Sequence, residues 1–181
     1  MESISSPKNE KIKELVKLQT AKGRKKAGMY LLEGEHLVEE AIKERAQIKL
    51  IVVTSNRLED YKNLLAQTDV QVLVVSQDVF HKLSMTETTQ GILAVVEIVK
   101  QEILPHKGRF IVLDAVQDPG NLGTIIRLCD ATNFKDIILT KGTVDAFNEK
   151  VIRATMGSIL NVNLFYLEKQ DIIKLLKENN Y

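Results

Sequence analysis

The chain has 181 residues, 44% hydrophobic and 27% charged, with a formal net charge of +1. That length suits one ordinary domain or two small ones around a real core, and the composition is that of a soluble globular protein. A single cysteine excludes an internal disulfide framework. No apolar run nears the roughly 20 residues that cross a bilayer, and the first residues lack a charged-then-apolar leader, so a cytoplasmic chain without membrane contact is expected.

In chain order, Ile12, Leu15, Val16 and Leu18 recur at helical spacing over about 9–20. A loop is expected around Gly23 to Gly28, then a short strand over 29–33 and a helix over 34–43 with Leu37, Val38, Ala41 and Ile42 inward. Residues 49–54, 70–75 and 91–99 read as strands, 58–67 and 76–83 as helices, the latter capped by Ser76. This α/β alternation predicts a mostly parallel sheet covered on both faces. Residues 101–108, with Pro105 and Gly108, break the pattern and form the expected linker. The alternation then restarts: strand 109–114, helix 120–132, strand 136–140, helix 146–156, strand 162–166, helix 168–179. Three strand–helix pairs make a thin sheet, so the second domain is expected to be incomplete.

Charge is unevenly placed. Residues 1–26 hold eight Lys or Arg against three Glu, with Lys22, Arg24, Lys25 and Lys26 nearly contiguous. Such a run is either a solvated helix face or an arm that contacts phosphates. Aromatic residues are not interleaved with it, so no stacking platform for single-stranded RNA is indicated.

The stretch 110–130 reads as a buried strand, a tight polar loop and a helix. Asp118 suits the N-cap and Pro119 the first helical position, where its missing N–H costs nothing. Asn121 and Arg127 would then offer an amide and a permanent cation toward the strand's C-terminal end, where open α/β sheets place ligands. The same residues also make a plain helix start, with Arg127 tied to Asp130 or Asp114. Asp145 to Ser158 follows the next strand and carries Asn148, Lys150, Arg153 and Ser158; alone it reads as a capped amphipathic helix. Arg127 and Arg153, on successive helices, could converge at one sheet edge and clamp phosphates. His36, His81 and His106 lie in separate segments, so no metal site is expected. Cys129 reads as a small core residue.

Together these segments resemble a known family. Asp114-x-Val-x-Asp-Pro-Gly-Asn-Leu-Gly-Thr-Ile-Ile-Arg127 resembles the first motif of the SpoU (TrmH-type) RNA 2′-O-ribose methyltransferases of the SPOUT superfamily, and Asn148 to Ser158 resembles their second. Lys22 to Glu40, with Leu31-Leu-Glu-Gly34, is similar to the ribosomal-protein-like RNA-recognition domain that often precedes the catalytic one. Thr88-Thr-Gln-Gly91 is similar to the family's Thr-Pro-Gln-Gly, with Thr89 in place of proline.

The resemblance implies an α/β chain: an α/β/α RNA-recognition domain over 1–100, the linker 101–108, and the front part of an α/β-knot parallel-sheet domain over 109–181. It implies methyl transfer from S-adenosylmethionine to a ribose 2′-hydroxyl of RNA, ribosomal RNA foremost, by a homodimer. Arg127 takes the catalytic arginine's place and Asn121 that of the motif asparagine. Lys22, Arg24, Lys25, Lys26 and Arg153 are the expected RNA contacts. Since a guanidinium stays protonated in proteins, Arg127 is expected to hold an RNA phosphate and stabilise a developing alkoxide. Nothing like the family's third motif, which forms the knot and most of the cofactor pocket, occurs before Tyr181. The chain is therefore expected to be a fragment or a truncated relative, and no cofactor-binding residue is assigned. The alternative is a non-catalytic RNA-binding protein of the same fold without the donor site.

Overall fold

The computed structural model describes residues 2–99 and 109–178, which divide into two compact units between residues 99 and 100. The expected linker, 101–108, lies outside the described residues.

The first unit contains β1 (Glu2–Ile4), α1 (Glu10–Lys17), α2 (Ala21–Ala27), β2 (Met29–Glu33), α3 (Glu35–Lys43), β3 (Ile48–Thr54), a 3-10 turn (Ser55–Arg57), α4 (Lys62–Leu65), β4 (Val72–Val75), α5 (Gln77–Leu83) and β5 (Ile92–Glu97). Its sheet runs β1-β4-β3-β5-β2. Side chains alternate across it. Leu50, Val52, Leu73, Val75, Leu93 and Val95 pack with Ile12, Leu15 and Leu18 of the α1 segment and Val79, Phe80 and Leu83 of α5. On the other face α3 buries Leu37, Val38 and Ala41.

The sheet is mixed rather than mostly parallel. β1, β4 and β3 are parallel, and β5 runs against both β3 and β2. The cause is the loop after α5. The Glu33 carboxylate, at the end of β2, accepts from Ser84 Oγ at 2.5 Å, Met85 N at 2.8 Å and Thr86 Oγ1 at 2.8 Å. That holds the loop at the strands' C-terminal edge, so the chain enters β5 from there and must run in reverse.

Three local expectations also change. The segment expected as a loop around Gly23 is helix α2: Thr20 Oγ1 accepts from Gly23 N at 3.1 Å, and Gly28, at φ 65°, ends it left-handed. The helix expected over 58–67 shrinks to the single-turn α4, and the 3-10 turn lies just before it. β1 has only three residues, too few for a periodic signal, and pairs with the distant β4.

The second unit contains β6 (Phe110–Leu113), α6 (Pro119–Ala131), β7 (Asp136–Thr140), α7 (Glu149–Thr155), a 3-10 turn (Ser158–Asn161), β8 (Asn163–Leu167) and α8 (Lys169–Glu178). The strands are parallel in the order β6-β7-β8. Leu122, Ile126 and Cys129 of α6 and Val151 of α7 pack with Leu113, Ile137 and Leu139. On the opposite face Ile172 of α8 packs with Ile138 and Phe165. A Cβ at Gly123 would run into Ala154, so α6 and α7 cross in near backbone contact.

Candidate functional site

The loop leaving β6 is built by local hydrogen bonds. Asp118 has an extended backbone, and its Oδ1 accepts from Asn121 N at 2.7 Å; Pro119 follows in the first turn. Upstream, Ala115 sits at φ 54°, a left-handed conformation that costs a Cβ-bearing residue about 1–2 kcal/mol. Thr140, 4% exposed at the end of β7, holds it there. Its Oγ1 accepts from Ala115 N at 3.1 Å and donates to Asp114 Oδ1 at 2.7 Å. Lys169, at the start of α8, reaches the other oxygen of Asp114 at 2.8 Å. Hydrogen bonds from Lys169 and then Thr140 hold the Asp114 carboxyl below its ordinary range. Neither Lys169 nor Thr140 could be picked out from sequence spacing, because parallel pairing alone brings the ends of β6, β7 and β8 together.

Asn121 is exposed in the first turn of α6, and Arg127 is exposed two turns further on. Eight residues separate Arg127 from the helix start, about 12 Å along the axis. A side chain leaning back toward the N-terminus shortens that distance only in part. The ties that would make Arg127 purely structural are absent among the described residues. Asp130 is engaged by Lys135 at 2.6 Å and Asn161 at 3.3 Å, and Asp114 by Lys169 and Thr140. Partial burial would raise the Asp130 carboxyl, but hydrogen bonds from Lys135, Asn161 and Ser158 outweigh it and leave the group lowered. Arg153 is exposed on α7 beside Ala154, the residue that meets Gly123. Arg127 and Arg153 thus stand on the two helices that cross at Gly123 and Ala154. Asn148, whose Oδ1 accepts from Lys150 N at 2.9 Å, is the α7 cap. Cys129 is buried, and burial pushes its thiol up, as befits a core residue.

In the first unit Lys22, Lys25 and Lys26 are exposed, and Arg24 is not. Arg24 is 5% exposed, and its guanidinium Nη1 donates to Leu18 O at 2.9 Å and Gln19 O at 3.0 Å. The expectation that Arg24 contacts RNA is therefore corrected: its charge is spent on the last carbonyls after α1. The Thr88–Gly91 segment is a structural tie. Gln90 Oε1 accepts from Glu35 N at 2.7 Å, Tyr61 Oη donates to Gln90 O at 2.8 Å, and Gly91 adopts φ 77°.

The polar side chains at the strand ends of the second unit are largely spent on one another: Asp114 and Thr140 pair, and Thr143 Oγ1 reaches Leu113 O at 3.4 Å. What the unit presents is a capped helix start with Asn121 exposed in its first turn, and two arginines on crossing helices.

Comparison with known proteins gives a consistent set of matches. Residues 108–181 match the SpoU rRNA Methylase family, and residues 9–94 match the MRM3-like substrate binding domain. The chain is 40% identical over 164 residues to the 23S rRNA (guanosine(2553)-2'-O)-methyltransferase RlmP of Bacillus subtilis, covering 90% of this chain and 64% of that protein. It is 36% identical over 149 residues to the mitochondrial rRNA methyltransferase 3 of Mus musculus, covering 77% of this chain and 35% of that protein. The fold matches that of an AdoMet-bound rRNA methyltransferase from Sinorhizobium meliloti with a TM-score of 0.82 at 28% identity, over 98% of this chain and 69% of the other. The chain thus spans less than two thirds of the length of the Bacillus and mouse proteins. Among the described residues no helix is long and apolar enough to cross a membrane.

Proposed function

The chain belongs to the SpoU rRNA methylase family, and from that premise we propose that it serves a ribosomal RNA 2′-O-methyltransferase, residues 109–181 supplying the acceptor side of the site and residues 1–100 recognising the RNA. One observation carries this reading. α6 starts at the C-terminal edge of a parallel sheet under an Asp118 cap, and it presents Asn121 and an Arg127 that neither Asp114 nor Asp130 engages. Such an arginine is available for a phosphate. When bound, S-adenosylmethionine supplies an electrophilic methyl group. Arg127 holds an RNA phosphate so that the ribose 2′-oxygen is correctly placed, and its charge stabilises the alkoxide as the hydroxyl proton leaves to that phosphate or to water. Asn121 orients the same segment of RNA through its amide. Arg153 adds a second cation from the crossing helix. A homodimer working in the cytoplasm fits this reading.

The test follows labelled methyl transfer from S-adenosylmethionine to ribosomal RNA by the complete product of the reading frame. Digestion then locates the modified ribose. Arg127→Lys keeps the charge and loses the fork, and should cut kcat/KM by about 100-fold, the scale of losing one transition-state contact. Near-full turnover by that variant, correctly folded, overturns the role given to Arg127. RNA binding without any S-adenosylmethionine binding in calorimetry would instead identify a non-catalytic RNA-binding protein.

A further inference from the structure

The basic run of the first unit is not a loose arm, and its arrangement carries an inference about how RNA is held, resting on the RNA-binding reading above. α1 ends at Lys17 and α2 begins at Ala21, so three residues turn the corner. Gly23 lies so close to the Lys17 carbonyl that any Cβ there would collide with backbone. Thr20 Oγ1 donates to Lys17 O at 2.9 Å while accepting from Gly23 N. Arg24 reaches back from α2 to Leu18 O and Gln19 O. Gln19 Nε2 in turn donates to Lys82 O at 2.8 Å and Leu83 O at 3.1 Å, fastening the corner to the end of α5.

The consequence is directional. On a helix, positions 22, 25 and 26 fall within an arc of about 100°, with position 24 on the opposite side. With Arg24 buried against the corner, Lys22, Lys25 and Lys26 must share the outward face, and all three are exposed. The neighbouring lysines are neutralised. Lys11 pairs with Glu2 at 2.7 Å, Lys13 with Glu10 at 2.6 Å, and Lys17 with Glu14. Lys26 has Glu14 in its field, but that carboxylate is engaged chiefly by Lys17. α2 has no acidic residue in its first turn. Of the five net positive charges of residues 1–26, three thereby share one face of one short helix, and Lys8 and the buried Arg24 carry the other two.

We propose that this face is a preorganised phosphate-binding ridge, in which Lys22, Lys25 and Lys26 contact the backbone of a folded RNA and Gly23 and Arg24 are positioning residues that fix its direction. Three cations on a rigid face meet successive phosphates without the ordering cost a flexible arm would bear. Recognition through phosphates suits a surface without aromatics and a substrate read by shape. An acidic protein segment is the competing occupant.

The test uses the full chain, a labelled RNA stem-loop, and affinity measured across a salt series. Replacing Lys22, Lys25 and Lys26 together by Gln should lower the salt slope by about 2–3 and weaken binding about 100-fold at 0.1 M salt. The decisive variants keep every charge. Gly23→Ala breaks the corner, and Arg24→Lys removes the planar guanidinium whose Nη1 reaches both carbonyls. Each should lower the slope by more than 1, beyond what any single phosphate contact accounts for, while hydrogen exchange in β3 and β5 stays protected. If Gly23→Ala unfolds the sheet, Arg24→Lys and the Gln variant decide. Unchanged affinity and slope in both charge-preserving variants overturns the ridge and leaves the RNA reading standing. Polyglutamate displacing the RNA at matched charge concentration also overturns it, in favour of an acidic partner. Failure of the unaltered chain to bind RNA overturns both.

Discussion

Arg24 and Arg127 are the same residue type with opposite fates. Arg24 is buried and hydrogen-bonded to two carbonyls; Arg127 stands exposed on α6. Burying a guanidinium is tolerable only where its donors find acceptors, and the carbonyls left open after α1 supply them. At the same scale Thr140 matters more than its unremarkable sequence context suggests. It is almost fully buried and joins Asp114 to the left-handed Ala115. Thr140→Val keeps the volume but leaves Ala115 N–H without its acceptor. It should cost about 1–3 kcal/mol, read by chemical denaturation with an unchanged m-value.

At the scale of elements, the second unit depends on how closely α6 and α7 cross. Gly123 is buried, and an added methyl would meet the Ala154 Cβ and lie 3.1 Å from Val151 O. Ala is the better helix former by about 1 kcal/mol. Overpacking against backbone, which cannot turn aside as a side chain can, costs about 1–3 kcal/mol. Gly123→Ala is therefore expected to lower Tm by several degrees and, because it forces apart the two helices that carry Arg127 and Arg153, to weaken RNA binding. Thermal unfolding and a salt-series binding curve check the two effects separately. In the first unit, Glu33 plays the comparable part, since its three bonds to 84–86 decide the direction of β5.

For the whole molecule, acid is the informative stress. Asp114 and Asp130 both lie below the ordinary value of 3.8, and both belong to the second unit. A depressed folded-state pKa contributes stability above the ordinary value and loses it as pH falls through the folded one. The second unit should therefore loosen below about pH 4, seen as faster hydrogen exchange across 109–178. Asp130→Asn should flatten that dependence in part. A profile for Asp130→Asn that matches the unaltered chain would mean its contacts with Lys135 and Asn161 contribute nothing in solution.

Much of this protein was readable from the sequence, because the signals are local. Asp118-Pro119 before a periodic helix announces the cap and start of α6. Period and turn residues mark β2, β3, β7, α3, α5 and α8. The motifs from Asp114 to Arg127 and from Asn148 to Ser158 point to the SpoU family, which the comparisons bear out. What pairing and packing across distant positions decide was not readable. The reversed β5 follows from Glu33 meeting residues more than fifty positions away, and β1 exists only because β4 accepts it. Arg24 could not be told from its lysine neighbours by charge, since only the corner between α1 and α2 shows which side of the helix faces the carbonyls. Local sequence sets propensity and pattern, whereas tertiary contact alone settles which cation is buried, which is left to meet a partner, and which way a strand runs.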